Sequence, residues 1–215
     1  MLTPFFFDRE GYFQYISTRT ILVGMYDQES CTGGWKLQGR LIWIDLEMTG
    51  LNPDRHVILE IATVITDDRL NLVAQGPNMA ISQPEEALSR MEEWSLVNHK
   101  SSGLLDRVKK SALNCQDAER ESIEFLSRYC RKKQSPLCGN SVGQDRRFLK
   151  RYMPTLEEFV HYRNIDVSTI KELVRRWYPS VPVYEKEKTH LALKDIKESI
   201  NELRYYRENV FVPQE

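Results

Sequence analysis

The segment IWIDLEMTGL over residues 42–51 sets two carboxylates, Asp45 and Glu47, two positions apart at the end of an apolar run. Residues i and i+2 of a β-strand point to the same face. Leu41, Ile42, Trp43 and Ile44 are β-branched and aromatic enough for a strand buried on both faces. A carboxylate buried there without a partner loses much of its hydration energy. A divalent cation removes that cost, and carboxylate oxygens are the ligands Mg²⁺ and Mn²⁺ prefer. The pattern leaves two readings: a metal site, or an Asp-x-Glu at an exposed strand edge.

A chain of 215 residues is long enough for one good-sized α/β domain plus an appendage. Its formal net charge is −1. Affinity for long nucleic acid scales with the number of neutralised phosphates, so near-neutrality favours few phosphate contacts and a short ligand if the ligand is nucleic acid. Cys31, Cys115, Cys130 and Cys138 form no C-x-x-C and no zinc-like cluster with histidine, which reads as free thiols in a reducing cytoplasm. No apolar run approaches the roughly 20 residues that span a bilayer, so no membrane association is expected. Residues 1–40 lack a positive segment leading into an apolar one, and Asp8, Glu10, Asp27 and Glu29 argue against a transit peptide. They read as an N-terminal extension of unclear structure, loosely attached or included by choice of start site. No chemistry is assigned to them. Residues 41–215 read as one domain.

Within that domain the pattern predicts strands over Leu41–Leu46, Val57–Thr66 and Leu70–Ala74, with Asn78–Ser82 continuing or pairing nearby. A turn falls at Gly50-Leu51-Asn52-Pro53. Helices are expected over Gln83–Trp94, where Pro84 and acids mark the start, over Asp117–Tyr129 and over Gly143–Tyr152. Short strands fall at Pro136–Gly139 and Asn164–Val167, with Ser168 placed to cap a helix reaching Trp177. The chain closes on a long helix with Leu193, Ile196, Ile200 and Leu203 on one stripe. A meander followed by βαβα implies a mixed sheet with helices packed on it.

Three later residues extend the question raised by Asp45 and Glu47. Asp145 lies just after a strand end, in the first turn of a helix, where ligands collect in α/β sheets and where an acid also simply complements the helix dipole. His190 and Asp195 are five apart; five helical steps rotate by roughly 140°, so they converge only if His190 sits on the entry loop. Four carboxylates in one small site need cations, because mutual repulsion would otherwise raise their pKa values or unfold the site. Two divalent ions balance four charges, activate a water and steady the leaving oxygen of an in-line phosphoryl displacement. A histidine suits the proton abstraction near neutral pH.

The strings IWIDLEMTGL, MEEWSLVNHKSSGL, CGNSVGQDRRFLKRYMP, HYRNIDVSTIKELVRRW and THLALKDIKESINELRYYR resemble the oligoribonucleases, 3′-to-5′ exoribonucleases of the histidine-type DEDD superfamily. The resemblance runs from Leu41 to about Val210. It implies a ribonuclease H-like α/β fold with a mixed five-stranded sheet and helices on it. It implies hydrolysis of short oligoribonucleotides, chiefly dinucleotides, to 5′-mononucleotides. Residue by residue, it implies two Mg²⁺ or Mn²⁺ ions held by Asp45, Glu47, Asp145 and Asp195, with His190 as general base. Leu51 matches a wedge between the two bases, and Trp94 and His99 match contacts near the 3′ nucleotide. Ser141, Arg163, Ser168 and Thr169 match a cap on the 5′ phosphate. Tyr162 matches a residue delivered by a second subunit of a homodimer; no other stable protein partner is implied. For Trp94 and Leu51 a place in the core stays open, and for Ser168 a helix cap alone. The competing readings are a proofreading or ribonuclease T-like exonuclease with an open channel for longer strands, and a binding module that has lost its chemistry. His56 is expected at the surface.

Overall fold

The strand that carries Asp45 and Glu47 lies at the centre of the sheet. The computed structural model describes residues 39–186 and 191–212. Five strands, β1 (Arg40–Met48), β2 (Ile58–Asp67), β3 (Leu72–Ala80), β4 (Pro136–Gly139) and β5 (His161–Asp166), form one sheet in the order β3-β2-β1-β4-β5. β1 pairs antiparallel with β2 and parallel with β4; β2–β3 is antiparallel and β4–β5 parallel. This is the mixed ribonuclease H-like sheet expected from the sequence.

β1 alternates between two cores. Ile42, Ile44 and Leu46 enter a cluster with Ile58, Leu126, Phe148 and Leu156, while Leu41 and Trp43 enter a second with Val64, Val167, Ile196 and Ile200. The first cluster seats α4 (Cys115–Ser127), α5 (Gly143–Tyr152) and α6 (Pro154–Phe159); the second seats α7 (Val167–Trp177) and α8 (Ala192–Asn209). Trp43 is fully buried, and its indole N–H donates to Thr66 Oγ1 at 3.0 Å. The two-residue period therefore turns Asp45 and Glu47 toward the side on which α8 packs.

Several features differ from the sequence reading or settle what it left open. The helix expected over Gln83–Trp94 is two, α1 (Glu85–Leu88) and α2 (Glu93–Ser101). The break has a long-range cause: the Glu92 N–H donates to Thr49 O at 2.8 Å, which holds Glu92 extended as the cap of α2. Of the two alternatives left open for Asn78–Ser82, continuation holds: with the preceding segment it forms one edge strand, β3, whose register against β2 shifts between Ala62 and Val64, across from Gly76 and Pro77. A proline is tolerated at such an edge irregularity. The cap of α7 is Asp166, whose side chain accepts the Ser168 N–H at 2.9 Å; Ser168 itself is not the cap. His56 is buried, 4% exposed, and its Nδ1 accepts the Asn52 N–H at 3.0 Å. α3 (Leu104–Lys110) and α6 were not anticipated. Among the described residues no helix is long and apolar enough to cross a membrane.

Candidate active site

Asp45 and Glu47 leave β1 near its C-terminal end, beside a register shift against β2 between Glu47 and Met48. Such bulges re-aim side chains. Asp195 projects from the first turn of α8. Asp45, Glu47 and Asp195 each offer a carboxylate oxygen, and these atoms all lie within 4.8 Å of one another. Asp145, in the first turn of α5, is buried, and its Oδ1 accepts the Leu46 N–H at 3.0 Å, which ties α5 to β1 between the two β1 carboxylates. The structure thus brings Asp45, Glu47 and Asp195 together and sets Asp145 beside Asp45. His190 lies outside the described residues.

The electrostatics are those of a site short of positive charge. Burial raises the Asp45 carboxyl well above its usual range, and the charges of Asp145, Glu47, Asp195 and Glu60 raise it further. Glu47 is pushed up to about 8 by burial, then by Asp195, Glu60 and Asp145. Asp145 is pushed up to about 7, again chiefly by burial, against the lowering effect of the Leu46 N–H. An all-oxygen donor set under mutual repulsion fits hard divalent cations.

Glu60 is the residue the sequence reading missed. It is the register partner of Glu47 across β1–β2 and is fully buried. Its Oε1 stands 2.6 Å from Arg107 Nη1 of α3, an ion pair too poorly aligned to count as a hydrogen bond. Its Oε2 accepts the Ala192 N–H at 3.2 Å and so caps the start of α8, where Leu191 offers no side-chain cap. The signal was present in VILEIATV, a lone acid inside an apolar strand.

The remaining expected residues fall into two groups. Around the β1–β2 turn, Leu51 and Trp94 are 64% and 63% exposed, which excludes the core for both. A Cβ on Gly50 would lie 2.5 Å from His56 Cε1 and 2.7 Å from Glu92 Cδ, so the turn that presents Leu51 closes only around glycine. His99 is buried; its Nε2 donates to Met48 O at 2.9 Å and its Nδ1 lies 3.8 Å from Glu47 Oε2. Beyond the ends of β4 and β5, Ser141 Oγ and Ser168 Oγ are 3.1 Å apart. Ser168 and Thr169 line an open cavity of ≈ 330 Å³ with Glu172, Leu173 and Arg176. Tyr162 and Arg163 are exposed on the edge strand β5, with the Arg163 guanidinium 5.5 Å from the Tyr162 ring centre. Leu51 follows the C-terminal end of β1, and Ser141, Ser168 and Thr169 follow those of β4 and β5, the usual ligand crevice of such sheets; Tyr162 and Arg163 lie at the start of β5 instead.

A carboxylate cluster at the strand ends of this sheet fits metal-dependent cleavage of a phosphodiester, and the family match makes the protein an exonuclease. The exonuclease family model RNase_T matches residues 42–203. An oligoribonuclease of Vibrio parahaemolyticus serotype O3:K6 is 56% identical over 172 residues, covering 80% of this chain and 95% of that protein. One of Shewanella loihica is 59% identical over the same shares. The chain belongs to the oligoribonuclease family. Among solved structures, an exonuclease I from Methylocaldum szegediense superposes with a TM-score of 0.61 at 17% identity, covering 80% of this chain and 41% of that one. That likeness is one of fold.

Proposed function

We propose that this protein is a 3′-to-5′ exoribonuclease that hydrolyses short oligoribonucleotides, chiefly dinucleotides, to 5′-mononucleotides in the cytoplasm. The observation that carries the reading is the convergence of Asp45, Glu47 and Asp195, with Asp145 alongside, in a site whose carboxyls are forced toward protonation unless cations are held. Asp45, Glu47, Asp145 and Asp195 would hold two Mg²⁺ or Mn²⁺ ions. When bound, these supply a water of lowered pKa and charge for the phosphate and leaving oxygen.

The chain's own residues do the rest. His190 takes the proton of the attacking water. His99 anchors Met48 through its carbonyl and stands next to Glu47, so it fixes a ligand-bearing strand end while facing the 3′ nucleotide. Exposed Trp94 gives a face on which a base stacks, worth about 1–3 kcal/mol. Leu51 wedges between the two bases. Ser141, Arg163, Ser168 and Thr169 receive the 5′ phosphate, for which a guanidinium is well shaped. The exposed edge β5 and Tyr162 fit a homodimer in which Tyr162 serves the partner's site; an active monomer in sedimentation would remove that role.

A cap on the 5′ end separates this reading from an open-channel exonuclease, because a longer strand must displace it. Arg163→Ala is therefore expected to lower kcat/KM on a dinucleotide by about tenfold or more, a lost charge-assisted contact, and to cost a decanucleotide much less. Equal losses on both lengths favour the open channel.

A further inference from the structure

We propose that Asn140, locked by Lys186 and Glu202, is a positioning residue that sets the Ser141–Ser168 hydroxyl pair so that Ser168 donates to the 5′ phosphate of a short RNA. The inference rests on the 5′-cap reading above and adds the residues behind it.

The starting point is Glu202, a carboxylate on α8 with no exposed surface. Its Oε2 is 2.5 Å from Lys186 Nζ and accepts Asn140 Nδ2 at 3.0 Å. Its Oε1 is 3.4 Å from Lys171 Nζ and accepts the Tyr206 hydroxyl at 3.0 Å. Burial alone would raise this carboxyl, but the Lys186 hydrogen bond and charge, with Asn140 and Lys171, bring it below its ordinary value. It is an ionised group inside the fold, retained where an apolar residue could sit.

That charge settles the orientation of the Asn140 amide. An ammonium only donates and an ionised carboxylate only accepts. Lys186 Nζ meets Asn140 Oδ1 at 2.7 Å, and Glu202 meets Nδ2, so oxygen and nitrogen cannot exchange places. The same Nδ2 reaches Ser168 Oγ at 3.3 Å, which makes Ser168 an acceptor on that side. The Ser141 and Ser168 N–H groups are both taken by Asp166 Oδ1, at 3.0 and 2.9 Å, so the backbone of the turn is fixed as well. The two hydroxyls carry two protons. Their mutual bond uses one. Among the described residues the other, on Ser168, meets no acceptor, which leaves it available to a ligand oxygen. Asp166 and Glu202 offset Lys171 and Lys186, so this subsite contributes directed donation, and Arg163 supplies the charge.

The test compares a dinucleotide bearing a 5′ phosphate with the same dinucleotide bearing a 5′ hydroxyl, in the metal-loaded enzyme. Wild-type enzyme is expected to favour the phosphorylated one. Asn140→Leu and Lys186→Gln are each expected to cut that preference about fivefold to tenfold, mainly through KM. Lys186→Arg, which keeps a donor to Oδ1 and Glu202, is expected to retain most of it. Lys186 is only partly buried, so its variants report even if Asn140→Leu loses structure in a thermal melt. If Arg163→Ala abolishes the preference while Asn140→Leu and Lys186→Gln leave it intact, or lower both substrates equally, the positioning role is wrong and the cap stands. If wild-type enzyme shows no preference, the cap is wrong and this inference with it.

Discussion

Asp145→Asn is expected to lower dinucleotide hydrolysis by about three orders of magnitude or more while leaving the protein folded. The asparagine keeps an oxygen to accept the Leu46 N–H, so the tie between α5 and β1 persists and the loss reports on charge rather than on geometry. One of the four negative charges expected to hold the cations is removed. The metal-free protein is expected to melt at the same or a higher temperature, because Asp145 is the leading charge that raises Asp45. Trading stability for function in this way is common at active sites. Wild-type turnover in this variant would remove Asp145 from the ligand set; loss of the folded state would show that its role is structural.

The second large effect lies in the coupling of pH, cation and stability. Glu47 is pushed up to about 8 and Asp145 to about 7, with Asp45 also raised. A carboxyl whose pKa is higher folded than unfolded binds its proton more tightly in the fold. Its contribution is therefore fully present below about pH 4, the range of an unfolded carboxyl. It is lost as pH rises through the folded values near 7 and 8. The metal-free protein is expected to lose stability as pH rises from about 4 to about 8. Divalent cations bind the deprotonated groups, so the gain in melting temperature on adding Mn²⁺ is expected to grow over the same interval. A scan of Tm with and without Mn²⁺ reads both. A Mn²⁺ gain that is equal or larger at the acid end contradicts the assignment of these carboxylates as ligands.

What the sequence made legible follows from the range of the interactions involved. Asp45 and Glu47 could be read because a two-residue period and an apolar flank are local. The single stripe of the last helix was equally local, and Ile196 and Ile200 are buried as it requires. Pairing between strands is not local. Nothing in the chain's order says that Glu60 faces Glu47, or that it caps α8 from 132 residues away. The same holds for the break between α1 and α2, set by a bond from Glu92 to Thr49, and for the 62-residue span from Asn140 to Glu202. Ser168 shows a further limit. Its residue type suggested a helix cap, but Asp166 two positions earlier competes for that place and wins, leaving the serine to other partners. Leu51 and Trp94 could not be assigned to core or surface by type alone; Leu51 is exposed on a tight turn around Gly50 and Trp94 on the first turn of α2.

The central claim is that the RNA must be short, and it is tested most directly by single-turnover rates on 5′-phosphorylated RNAs of two to about ten nucleotides with Mg²⁺. The expected result is a steep fall in rate beyond the dinucleotide, as each longer strand competes with the cap formed by Ser141, Arg163, Ser168 and Thr169. Rates that stay level or rise with length would contradict it and would assign the same carboxylates to an open-channel exonuclease.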